Sequence, residues 1–154
     1  MTKEKATFGG GCFWHVEESY RITKGVTKTS VGYMGGHFAY PSYLDVLSRI
    51  TGHAEVAQVE FDSEVVRYEQ LLDIFWSIHD PTQLNRQGAD RGEQYRSIIF
   101  YHNQAQAQIA QSSKLKLERS NKFDKPIVTL IEPAKEYYLA DESHQQYLWK
   151  AKRK

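Results

Sequence analysis

Residues 7–14 read TFGGGCFW, and within them sits the only cysteine of the 154-residue chain, Cys12. Ala6 to Phe8 have the character of a short strand, three glycines follow, and Phe13 to Ile22 can run as a helix that ends before Gly25. That reading puts a thiol on a strand-to-helix turn. A thiolate is the reactive form of cysteine, and the positive end of a helix with its free N–H groups favours an anion, so Cys12 is a candidate nucleophile. The glycines allow a bound molecule to come up against the backbone, and Phe13 and Trp14 can wall an apolar pocket. The competing reading makes Cys12 a small buried hydrophobe and sends both rings into the core.

Outward from this turn, Val26 to Tyr33 read as a second strand closed by Gly35 and Gly36, and "PSYLDVLSRI" suits a short helix starting near Pro41 and Ser42. From His53 to Phe61 the chain alternates, with Ala57, Val59 and Phe61 on one face. Glu55 shares that apolar face, which makes it either a register misreading or a deliberately buried acid. Tyr68, Leu71, Leu72, Phe75, Trp76 and His79 recur at helical spacing, and the helix stops where Pro81 disfavours it. Thr82 to Gln94 form a long polar loop of the kind that often carries function. "QYRSIIFYH" then reads as a buried strand, Ala105 to about Arg119 as a helix, Ile127 to Ile131 as a strand, and the end as a partly ordered segment with a helical turn around His144 to Trp149. Interleaved strands and helices without linker or repeat predict one domain over residues 1–154, α+β or α/β in class, its helices packed on a central mixed sheet.

With 40% hydrophobic and 25% charged residues and a formal charge of +1, the chain has the make-up of a water-soluble globular protein; no nucleic-acid or membrane partner is implied, although the last residues are basic. The beginning lacks an apolar signal, so a cytoplasmic location is expected. A small net charge and no exposed heptad point to a monomer. A lone cysteine cannot form an internal disulfide, and the six scattered histidines show no metal-ligand spacing, so neither a metal nor a bound cofactor is expected.

Taken in order, "GGGCFW", "GYMGG", "PSY", "TGHAE", "HDPTQLNRQGADRGEQYRS" and "HQQYL" extend from Phe8 to Leu148, and the set resembles the A-type peptide methionine sulfoxide reductases. The resemblance implies a two-layer α/β sandwich and an enzyme that reduces methionine S-sulfoxide, free or in proteins. It implies Cys12 as nucleophile, Glu55 as acid, Tyr43 and Tyr95 as hydroxyls that bind the oxygen, Asp90 as a hydrogen-bonding support, and Phe13 and Trp14 as the pair that holds the substrate methyl. Each has a blander reading: Glu55 as an exposed strand-end acid, the tyrosines as core-edge residues, Asp90 as a turn stabiliser.

The chain departs from the family pattern in two places. Members often carry further cysteines that attack the oxidised nucleophile, and Leu47 lies where some of them place one. Regeneration must then be intermolecular, by thioredoxin directly or by glutathione with a glutaredoxin. His15 also stands where a small residue is common, and it is expected to face solvent. Two other classes compete: a cysteine hydrolase or acyl transferase using His53 or His79 as base, and a redox sensor that oxidises at Cys12 without turnover.

Overall fold

The structure, a computed structural model, describes residues 2–153. β1 (Lys3–Gly9) lies between β3 (Ala54–Asp62) and β6 (Ile98–Tyr101), antiparallel to both, and β3 pairs in turn with β2 (Val26–Met34). One edge is extended by β7 (Leu130–Pro133), parallel to β6, and the other by the short β8 (Tyr138–Leu139), giving the order β7-β6-β1-β3-β2-β8. The sheet is mixed, as expected. Its alternation sends Ala6, Phe8, Val31, Tyr33, Ala57, Val59 and Phe61 to one face, where they form the main core.

That face is covered by α1 (Phe13–Arg21) and α3 (Tyr68–Ile78), with α4 (Gln104–Arg119) against α3 and the β6–β7 edge. α1 buries Phe13, Val16, Glu17 and Tyr20, one stripe of a helix. Phe8 stacks on Tyr20 at 5.1 Å and on Phe75 at 5.2 Å between ring centroids, and the Tyr20 hydroxyl donates to the Leu71 carbonyl at 2.9 Å. This aromatic layer fixes the start of α1 over β1 and β3. Met34, Val56, Ile98 and Phe100 form a smaller cluster on the opposite face, against Ala134 and Tyr137.

The structure departs from sequence expectation at the chain's later elements. Of "QYRSIIFYH" only Ile98–Tyr101 enter the sheet, because Glu93–Tyr95 coil into a 3-10 turn and His102 is exposed. The strand expected at Ile127–Ile131 begins at Leu130 instead. Before it, the Val128 N–H bonds the Pro81 carbonyl at 2.8 Å and Thr129 Oγ1 meets Ser97 Oγ at 2.7 Å, so the backbone is committed to loops. The long polar loop contains a small hairpin, β4 (Arg86–Gln87) with β5 (Asp90–Arg91). The end of the chain holds β8, a 3-10 turn at Glu142–His144 and a short α5 (Tyr147–Ala151). No described helix is long and apolar enough to cross a membrane.

Candidate active site

Cys12 is the N-cap residue of α1, with extended backbone, and the turn that delivers it depends on its glycines. Gly11 has φ +96°, which L side chains rarely adopt, and a Cβ on Gly10 would lie 3.1 Å from the His79 ring. The Trp14 and His15 N–H groups bear on the thiol and favour its anion, as the helix start promised. Burial outweighs them: it pushes the thiol up to about 11, with the charges of Glu55 and Asp90 adding to the rise. The thiol is therefore protonated at neutral pH, contrary to what the helix position alone suggests. His15 is exposed and lies on the solvent side, as expected.

Glu55 settles the question its strand position raised, being only 1% exposed in the middle of β3's run of buried residues. Its Oε1 accepts the Phe13 N–H at 3.2 Å, the residue directly after Cys12, while the buried Oε2 has no hydrogen-bond partner. Burial lifts this carboxyl to about 8; the Phe13 N–H opposes the rise and the Asp90 charge adds to it. Glu55 is thus mostly a neutral acid at pH 7, with a proton to give.

Tyr43 is the first residue of α2 (Tyr43–Leu47), a helix held by a capping box in which the Asp45 N–H donates to Ser42 Oγ at 3.1 Å and the Ser42 N–H to the Asp45 carboxylate at 2.8 Å. Tyr95 ends the 3-10 turn after the β4–β5 hairpin. Burial raises both phenols, and Tyr95 feels the charges of Glu55, Tyr43, Asp90 and Cys12, so the fold brings these five groups into one electrostatic neighbourhood. Neither phenol has a hydrogen-bond partner among the described residues, which leaves both hydroxyls free to donate. Asp90 lies exposed on β5 and likewise makes no side-chain hydrogen bond among the described residues. It reaches the site through its charge.

Phe13 is fully buried, 5.6 Å from the Tyr33 ring and 5.6 Å from the His144 ring. Trp14 is half-buried; its indole N–H donates to His144 Nδ1 at 3.1 Å, and its ring stacks on Tyr147 at 3.8 Å. No local pattern marks Tyr33, His144 and Tyr147 as neighbours of this site, yet "GYMGG" and "HQQYL" contain them. Tyr33 is the direct cross-strand partner of Glu55, and its buried hydroxyl is also without a partner.

The two histidines considered as bases are engaged elsewhere. His53 Nδ1 accepts the Gly36 N–H at 2.9 Å and Nε2 donates to the Phe38 carbonyl at 2.7 Å. His79 Nδ1 donates to the Phe75 carbonyl at 2.7 Å and Nε2 accepts from Ser97 Oγ at 2.7 Å, and burial lowers this imidazole to about 4. Among the described residues no group of three or more His, Cys, Asp or Glu side chains is arranged to hold a metal ion.

A thiol at a helix start, a buried acid bonded to the N–H of the next residue, and two phenols without a partner among the described residues lie in one neighbourhood, an arrangement that sets a sulfur nucleophile beside proton and hydrogen-bond donors. The family model for peptide methionine sulfoxide reductase matches residues 4–154. The chain belongs to this family. Curated relatives of the reductase include MsrA 1 of Nostoc sp., 65% identical over 96% of this chain and 90% of its own length. MsrA of Methanothermobacter thermautotrophicus is 60% identical over 98% of this chain and 89% of its own. Among solved structures, reduced Mxr1 of Saccharomyces cerevisiae superposes with a TM-score of 0.92 at 36% identity, covering 99% of this chain and 87% of that one. Mxr1 in an unusual oxidized form scores 0.74 at the same 36% identity, covering 96% of this chain and 81% of that one, so the chain superposes more closely on the reduced form. As an A-type enzyme it reduces methionine sulfoxide, and the sandwich expected from the resemblance is the fold observed.

Proposed function

We propose that the protein reduces methionine S-sulfoxide, free or within oxidised proteins, through a sulfenic acid on Cys12 that an external thiol recycles. The observation that carries this reading is Glu55: a buried carboxyl held near 8, with one oxygen on the N–H that follows the nucleophile. A sulfoxide sulfur is a poor electrophile until its oxygen is protonated, and an acid that is neutral at pH 7 can supply the proton.

In the proposed step the sulfoxide oxygen takes the Glu55 proton as Cys12 Sγ forms a bond to the sulfur, and the thiol proton passes to the vacated carboxylate. Tyr43 and Tyr95 donate to the oxygen as it gains negative character, in the manner of an oxyanion hole. Phe13 and Trp14 hold the methyl group. The hydroxyl then passes from the substrate sulfur to Cys12 Sγ as the substrate S–O bond and the new Cys12–sulfur bond both break; Cys12 is left as S–OH and methionine leaves, so the substrate sulfur gains the two electrons that the cysteine loses. Asp90, charged and exposed beside these groups, strengthens the preference of Glu55 for its proton.

Because the chain has no second cysteine, the sulfenic acid must meet a thiol from outside. Mxr1 has been solved in complex with Trx2, and that structure aligns with 94% of this chain at a TM-score of 0.67 and 28% identity. The relation supports a thioredoxin as reductant; glutathione with a glutaredoxin is the other donor of matching chemistry. Release of a small product and entry of a thiol both need an open mouth, which the partly exposed Cys12 provides.

The test is a single turnover with one equivalent of racemic sulfoxide peptide and no reductant, followed by mass analysis of Cys12. Only the S epimer should be consumed, and Cys12 should carry one oxygen that a sulfenic-specific reagent traps. Adding thioredoxin, or glutathione with glutaredoxin, should restore the thiol at a rate set by its concentration. Consumption of both epimers, or a product with neither a trappable oxygen nor a mixed disulfide on Cys12, sinks the proposal. Oxidation of Cys12 by peroxide without reduction of sulfoxide would identify a sensor instead.

A further inference from the structure

The stretch HQQYL, residues 144–148, takes no part in the chemistry proposed above, yet it is bound to the site by its neighbours on both sides. Gln145 is buried and completes the edge of β2: its Oε1 accepts the Val31 N–H at 2.9 Å, and its Nε2 donates to the Val31 and Ala140 carbonyls, each at 2.9 Å. Gln146 adopts the left-handed conformation at φ +48° and donates its N–H to Glu17 Oε1 at 2.9 Å. Glu17, 1% exposed on α1, also accepts Thr29 Oγ1 at 2.7 Å. A strained residue persists where the surroundings over-determine it, and here two buried networks do so.

This clamp delivers the His144 ring into the site. The ring lies 4.5 Å from Tyr43, 5.6 Å from Phe13 and 5.8 Å from Trp14, centroid to centroid. The Trp14 indole N–H, a donor only, bonds His144 Nδ1 at 3.1 Å, so that nitrogen must be unprotonated. One imidazole therefore neighbours one of the two residues assigned to the oxygen, Tyr43, and both assigned to the methyl group.

We infer that His144 is a positioning residue: its neutral ring holds the Trp14 indole in place as the methyl wall, and its protonation releases that ring and weakens sulfoxide binding. The inference rests on the reading of Trp14 as that wall. Burial already lowers the imidazole from its ordinary 6.5, with the Asp141 carboxylate opposing. The docked arm thus favours the neutral ring, and the contact is lost as pH falls through that lowered value. The groups facing His144 are few. Asp141 is on its own turn and is engaged by the Ser143 N–H and hydroxyl; Tyr43 comes from α2; α1 presents the uncharged rings of Phe13 and Trp14. Glu142 pairs with Lys150, and Glu17 is taken by Thr29 and Gln146.

The experiment measures KM and the saturating single-turnover rate on an S-sulfoxide peptide between about pH 5 and 8, together with the indole N–H resonance of Trp14, for the wild type, His144→Gln and His144→Phe. Losing about one net hydrogen bond predicts that wild-type KM rises roughly fivefold towards pH 5 while the saturating rate changes less than about twofold. His144→Gln offers an acceptor that does not titrate, so its KM should stay flat and within about threefold of the wild-type value at pH 7. His144→Phe keeps a ring without an acceptor, and its KM should be raised roughly fivefold across the range. A Gln variant that keeps the acid limb, or a Phe variant with wild-type KM at neutral pH, overturns the inference. An indole resonance that titrates while KM stays flat overturns it through the wall assignment, and a resonance that does not titrate overturns the hydrogen bond itself.

Discussion

The floor and the rim of this site are built by different kinds of structure. Cys12 and Glu55 belong to the start of α1 and to the central strand β3, among fully buried residues. Tyr43, Asp90, Tyr95 and His144 arrive from a five-residue helix, a two-stranded hairpin and two 3-10 turns. In the floor, desolvation is the largest influence on both titratable groups, and it drives the thiol and the carboxyl in the same direction, towards their protonated forms. Backbone N–H groups bear on both and lose to it. In the rim, two phenols keep hydroxyls that no group among the described residues engages. In the proposed reaction the floor sets proton availability and the rim sets recognition of the oxygen, and substitutions on the two sides should separate those roles.

The largest effect is expected in the floor. Glu55→Gln keeps the shape and removes the proton, and the single-turnover rate should fall at least about 100-fold, the usual worth of a general acid. The wild-type rate should itself decline as pH rises through about 8, where the acid empties, and the variant should lack that limb. Stability gives an independent check. A carboxyl raised from 4.5 to about 8 by burial stabilises the fold fully below the lower value and loses that contribution as pH rises through the upper one. Urea unfolding of the wild type should therefore weaken relative to Glu55→Gln across this window; parallel curves would place the carboxyl in water.

A smaller effect belongs to the rim. Tyr43→Phe and Tyr95→Phe should each cost roughly fivefold in single-turnover rate, and the double variant about 50-fold, more than the roughly 25-fold product of the two, because two donors to one oxygen partly replace each other. Strict additivity of the two losses, with no change in the pH limb near 8, would show instead that the hydroxyls act apart. Neither substitution should move the unfolding midpoint much, since neither hydroxyl has a hydrogen-bond partner among the described residues.

The smallest effect, and the sharpest on the floor's electrostatics, is in the reactivity of Cys12. Its alkylation by iodoacetamide should accelerate with pH towards a midpoint of about 11. Glu55→Gln should lower that midpoint, because the Glu55 carboxylate is among the charges that raise it and is ionised above about 8. An unchanged midpoint would mean that the two groups do not sense each other.

Much of the site was readable in one dimension where a local pattern had a single structural meaning. The period of two from His53 to Phe61 placed Glu55 on the buried face, and β3 buries it beside Ala57 and Val59. The glycines before Cys12 marked the strand-to-helix turn, and α1 begins at Phe13. The polar run from Thr82 to Gln94 was readable as a loop, but its hairpin was not, because two-residue strands carry no periodicity. The two-residue β8 carries no periodicity either, and β7 begins three residues later than the apolar pattern suggests because Ile127 and Thr129 are buried without joining the ladder.

By itself the sequence determined the family, the order of the longer helices and strands, the side of the sheet on which the acid sits, and the absence of a second sulfur in the chain to pair with Cys12. Only the tertiary structure decided how these groups ionise and what holds them. A helix start predicts a lowered thiol, yet burial by segments from the whole chain raises it to about 11. The Trp14–His144 hydrogen bond joins residues 130 positions apart. Desolvation and long-range hydrogen bonds depend on every neighbour in space, and local patterns of hydrophobicity and turn residues do not encode that neighbourhood.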